Sequence, residues 1–93
     1  MLDISINENR IAISGALTQH TVKRAWSQTP DFSHKNLEVE MKALDRVDSA
    51  GFALLVYWSN EAKRQDSILV YRNPPEKLMD IAGLTGLESI LQP

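Results

Sequence analysis

The stretch RVDSAGFALLVYW, Arg46 to Trp58, joins a polar pair, Asp48-Ser49, to two small residues and then to seven consecutive apolar ones. Asp and Ser both cap helix N-termini, because their side-chain oxygens accept from backbone N–H groups left unpaired in the first turn. A helix of about 50–65 is expected behind them, ending in EAKRQD, where Lys63 and Arg64 suit the negative end of the helix dipole. At roughly 100° per residue, Gly51, Leu54, Leu55, Trp58 and Ala62 share one side and Phe52, Ala53, Val56 and Tyr57 the far side, beside Asn60, Lys63 and Arg64. One sheet requires one apolar face. The second is either covered by another helix of the same domain or left as an exposed patch of the kind that marks protein interfaces.

Upstream, LDISINENRIAISGAL alternates apolar and polar positions with turn residues Asn7-Glu8-Asn9 between two runs, a hairpin of roughly 2–6 and 10–14 with Gly15 at its exit. In LTQHTVKRAWSQ the period changes. Thr18 is placed to cap a short helix of about 19–27, with Val22, Ala25 and Trp26 on its core-facing stripe and Pro30 beyond its end. NLEVEMKAL reads as a third strand with Leu37, Val39 and Met41 inward and Glu38 and Glu40 in solvent. Downstream, SILVY is a fourth strand. NPPEKLMDIAG is a third helix, with Asn73 as cap, Pro74 at the first helical position and Gly83 past the end; LTGLESIL closes the chain as a short element of open type. The order is strand, strand, helix, strand, helix, strand, helix. Strands flanking the central helix imply a right-handed parallel crossover. The fold class is α/β, one domain over 1–93 with a mixed sheet of four to five strands.

Ninety-three residues support a single core, and 43% hydrophobic with 24% charged residues is ordinary for a folded domain. A net charge of −2 with mixed signs gives no basic stripe for nucleic acid or anionic membrane. The lack of cysteine removes disulfides, thiolate catalysis and cysteine zinc sites. The N-terminus has neither the positive start nor the apolar run of a signal peptide, and no apolar segment reaches the ~20 residues that span a bilayer, so a cytoplasmic chain is expected.

An enzyme is not expected, nor any cofactor or metal. No GxxxxGK[ST] phosphate loop is present, His20 and His34 lack metal-ligand spacing, and Asp48 and Ser49 have no evident base with which to form a nucleophilic triad. Ser49 invites a different chemistry. In an α/β unit the loop after a parallel strand opens at the strand's carboxyl end, where partners bind and where a phosphate would meet unpaired N–H groups. Ser49 is therefore a candidate phosphoacceptor, although Asp48 would repel the added charge.

VDSAGFALL resembles the signature of STAS domains, the fold of anti-sigma-factor antagonists, in which an Asp-Ser/Thr-small-Gly segment opens the helix after the third strand. The ending LMDIAGLTGLESIL fits the same pattern. ISGALTQHTVKRAW and VDSAGFALLVYWSNEAKRQ are more similar to the MlaB branch of that family. This resemblance implies an accessory subunit that binds the ATPase of a phospholipid-transporting ABC complex maintaining outer-membrane lipid asymmetry, peripheral to the inner membrane through that complex. It implies that the position of Ser49, usually threonine there, faces the ATPase. The contact residues expected on this basis are Asp48, Ser49, Ala50, Gly51 and Phe52, extended by Val56 and Tyr57. The alternative implied by the wider family is an anti-sigma-factor antagonist whose kinase partner is released by phosphorylation of Ser49.

Overall fold

The computed structural model describes residues 1–33 and 35–91, so the expectation for His34 lies outside the described residues. The alternating N-terminus forms the anticipated hairpin: β1 (Leu2–Asn7) runs antiparallel to β2 (Arg10–Leu17), with Leu2 opposite Gly15 and Asn7 opposite Arg10. Its turn is tight enough to hold Glu8 at a φ of 54°. After α1 (Val22–Ser27) the chain returns as β3 (Asn36–Glu40), parallel to β2. α2 (Ser49–Arg64) then leads to β5 (Ile68–Arg72), parallel to β3, followed by α3 (Glu76–Thr85) and a 3-10 helix, Glu88–Leu91.

The expected single strand NLEVEMKAL is two. β3 ends at Glu40, and a separate strand β4 (Leu44–Val47) pairs in parallel with the far end of β2. The cause is parity. Leu37, Val39 and Met41 are buried at odd positions, but Leu44 is buried as well, and two core residues three apart cannot share one face of a regular strand. A turn absorbs the difference, closed by the Leu44 N–H donating to the Met41 carbonyl at 3.0 Å. Opposite it, Gly15 takes a φ of 85° at a register shift in β2 and donates to the Ala43 carbonyl at 3.1 Å. A five-stranded sheet results, ordered β1-β2-β3-β5, with β4 continuing the β3 position along β2.

Several boundaries also move. α1 starts at Val22 rather than near 19, because Thr18 to Thr21 form a turn of their own, with Thr21 rather than Thr18 at the N-cap position. α3 is preceded by Pro75, not capped by Asn73, whose side chain instead donates to Glu40 Oε2 at 2.9 Å. Gly83 lies inside that helix, and Gly86, at a φ of 72°, ends it in the left-handed conformation that glycine tolerates best.

The helices cover one face of the sheet. Ile11, Ile13, Leu37, Val39 and Tyr71 are buried beneath them, together with Leu54, Leu55 and Trp58 of α2. Trp58 is fully buried edge-on to Phe32, and its indole N–H donates to Thr29 Oγ1 at 3.2 Å. The Tyr71 hydroxyl donates to the Leu55 carbonyl at 2.6 Å, which pins α2 to β5, and burial pushes the phenol well above its ordinary range. On the open face Glu38 accepts from Arg72 at 2.7 Å and from Arg10 at 3.5 Å, so the solvated glutamate anticipated there is also a cross-strand bridge.

Candidate functional site

Asp48 sits in extended conformation just ahead of α2, and both of its carboxylate oxygens are used. Oδ1 accepts from the Gly51 N–H at 3.0 Å, the expected cap, while Oδ2 accepts from the Gln19 N–H at 2.9 Å, across from the turn that follows β2. Partial burial is the largest single influence on this carboxyl and works upward. The N–H groups of Gln19, Gly51 and Ala50 together outweigh it, helped by His20, and hold the group below its ordinary value. A carboxyl whose folded pKa lies below its unfolded one stabilises the fold above the unfolded value, ~3.9, and loses that contribution as pH falls through the folded one. Urea unfolding of the wild type and of Asp48→Ala should therefore differ at pH 7, and the gap should close progressively below about pH 4. A gap that persists unchanged at pH 2 would contradict this.

Ser49 is the first residue of α2 and is exposed. Behind it Gly51 is buried, and a Cβ there would collide with the backbone carbonyl of Leu17. The Asp-Ser-small-Gly sequence thus separates into functions: Asp48 caps, Ser49 faces out, and Gly51 lets the helix touch the end of β2.

Two members of the anticipated contact set do not face solvent. Gly51 points at β2, and Phe52 is only 4% exposed, because α3 packs beside α2 and covers that flank. Phe52 lies in the lining of an apolar groove of about 330 Å³ between α2 and α3, with Ser49, Ala53, Val56, Ile81 and Leu87. Both accounts of the second apolar face therefore hold in part: α3 shields Phe52 and partly Val56, while Ser49, Ala53, Tyr57 and Asn60 form an outward stripe at helical spacing.

The stripe has a member that periodicity assigned to the core. Trp26 is 41% exposed and lies against Tyr57, itself 38% exposed, with ring centroids 4.3 Å apart. α1 is six residues long and buries only Ala25 completely, so Trp26 falls on its rim and bridges to α2. The lone signal in the sequence was that so short a helix has room for little more than one fully inward side chain. Ile81, Thr85 and Leu87, the α3 side of the groove, carried no signal that distinguished them from ordinary helix positions.

Among the described residues no group of three or more His, Asp or Glu is placed to hold a metal ion, and no helix is long and apolar enough to cross a membrane. The outward side of α2 carries a tilted aromatic pair, a shallow apolar groove and one exposed hydroxyl at the helix N-terminus.

Comparison with known proteins agrees with this architecture. A family model described as "Mlab, STAS domain" matches residues 1–93. The chain is 28% identical to the intermembrane phospholipid transport system binding protein MlaB of Haemophilus influenzae, over 91% of this chain and 89% of that one. Its fold superposes on the anti-sigma factor antagonist SpoIIAA in the unphosphorylated form with a TM-score of 0.71 at 15% identity, covering 99% of this chain and 86% of that one. The phosphorylated form of the Bacillus cell fate determinant SpoIIAA gives 0.69 at 15% identity, covering 99% and 89%. Since the family model matches it from end to end, the chain belongs to the STAS domain family, in the group described by the MlaB model.

Proposed function

We propose that this chain is a non-catalytic accessory subunit that binds the ATPase of a phospholipid-transporting ABC complex, one that maintains outer-membrane lipid asymmetry. The observation that carries the proposal is the outward stripe of α2, open between α1 and α3 and headed by the exposed Ser49. The name of the Haemophilus relative supplies the transport context. In this reading Ser49, Ala50, Val56 and Tyr57 touch the ATPase, joined by Trp26, while Asp48, Gly51 and Phe52 shape the surface from beneath. The chain acts at the cytoplasmic side of the inner membrane by favouring one ATPase conformation through differential contacts, without handling nucleotide or lipid itself. Co-expression with the phospholipid-transporting ABC ATPase of the same cell tests it. The wild type should co-purify, and Ser49→Arg should weaken the affinity about tenfold with its unfolding midpoint unchanged, since the residue is exposed. Undiminished capture by the variant removes Ser49 from the interface.

A second reading rests on the exposure of the Ser49 hydroxyl together with the fold shared with anti-sigma factor antagonists. An anti-sigma-factor kinase would then be the partner, and phosphorylation of Ser49 would break the contact by setting about −1.5 to −2 charge beside Asp48. Incubation with such a kinase and ATP, followed by mass spectrometry, separates the two. A phosphate on Ser49 that abolishes kinase binding favours the antagonist; co-purification with the ABC ATPase favours the transporter subunit.

A further inference from the structure

We propose that the turn Thr18–Thr21 is a second element of the docking surface, and that Asp48 is the positioning residue that sets it in register with Ser49. The proposal rests on the ATPase-binding reading above. The turn is fastened to its own base: the Thr21 hydroxyl donates to the Ala16 carbonyl at 2.8 Å and accepts from the Thr18 N–H at 3.0 Å, and the His20 N–H donates to Thr18 Oγ1 at 3.2 Å. Among the described residues, one hydrogen bond joins it to the start of α2, from Gln19 N–H to Asp48 Oδ2 at 2.9 Å. Asp48 spends its other oxygen on the Gly51 N–H, so one carboxylate fixes both halves.

Gln19 and His20 are exposed and flank α2 at the Ser49 end. Between the turn and the end of β4 lies a cleft of about 400 Å³, lined by Thr18, Gln19, His20, Arg46 and Asp48 among others. A partner seated on Ser49 therefore meets the rim of this cleft next. With both oxygens engaged inside the chain, Asp48 contributes geometry rather than a contact of its own. Releasing the Gln19 bond leaves the cap intact but lets the turn adopt other arrangements, and the apparent affinity falls by the fraction that stays competent.

Asp48→Asn and Asp48→Ser each keep an acceptor for the Gly51 N–H, since both residue types cap helices well, but cannot hold Gly51 and Gln19 at once. Asp48→Ala loses both bonds. Thermal unfolding should rank the Asn and Ser variants nearer the wild type than the Ala variant. Affinity for the ATPase should fall about tenfold in all three alike. A merely structural Asp48 would make affinity follow stability. Amide exchange at Gln19 should accelerate at least tenfold in the free Asn variant. Unchanged exchange at Gln19 overturns the clamp, and accelerated exchange with wild-type affinity overturns the turn as part of the interface. Failure of the wild type itself to bind the ATPase removes the partner reading and this inference with it, an outcome told apart by the exchange measurement, which needs no partner.

Discussion

Gly51→Ala is expected to cost about 3 kcal/mol of stability, read as a lower urea midpoint with an unchanged m-value. The prediction opposes helix propensity, which favours alanine over glycine inside a helix by about 1 kcal/mol. Gly51 lies in the first turn of α2, where an added Cβ runs into the Leu17 carbonyl and meets Leu17 Cγ at 3.0 Å. A flexible side chain could yield, but the carbonyl belongs to the backbone at the end of β2, and the Asp48 N–H approaches the same oxygen at 3.4 Å. Relief requires the whole start of α2 to lift. That would pull the Asp48 carboxylate away from Gln19 and loosen the packing of Leu54, Leu55 and Trp58, all fully buried. A variant as stable as the wild type, or more so, would mean that propensity wins and that the close approach carries no strain.

Trp26→Ala should weaken ATPase binding by about 2 kcal/mol, roughly 30-fold in Kd, with a separate loss of about 1–2 kcal/mol in the stability of the free chain. Both effects follow from placement. Trp26 is 41% exposed, and its ring lies against that of Tyr57, also a surface residue. Rigid aromatic side chains at the centre of an interface release much area from water at low entropic cost, which is why they dominate alanine scans. Two rings with centroids 4.3 Å apart present themselves already ordered. A double-mutant cycle between Trp26 and Tyr57 in the free chain should return a coupling of about 1 kcal/mol, the usual range for tilted aromatic pairs. Affinity unaffected by Trp26→Ala would move the contact to the α2–α3 groove.

The central helix was legible in the sequence because three independent signals coincide there: a capping Asp, a glycine where backbone meets backbone, and an apolar side of complete helical period. Its inward set of Gly51, Leu54, Leu55, Trp58 and Ala62 is buried as the angles require. What escaped was set by tertiary neighbours. Phe52 stands at the margin of the outward arc, and whether it meets water depends on where α3 lies, which no local pattern records. The end of β3 was invisible for a different reason: MKAL continues the alternation by one step, and only the burial of Leu44 discloses that the chain has changed parity. Trp26 shares a helical stripe with Val22 and Ala25, but the helix is only six residues long and the ring falls at its rim. Thr18 has the residue type of a cap, yet its carbonyl receives the Thr21 and Val22 N–H groups, making a turn ahead of the helix proper.

Hydroxyl-radical footprinting of the chain, alone and in complex with the ABC ATPase, tests the outward side of α2 as the docking surface most directly, because Trp and Tyr side chains report their own solvent exposure. Oxidation of Trp26 and Tyr57 should fall severalfold in the complex, while Ile68, 61% exposed on the edge strand of the opposite sheet face, should react as it does in the free chain. Trp26 and Tyr57 reacting in the complex as fast as in the free chain would contradict the account.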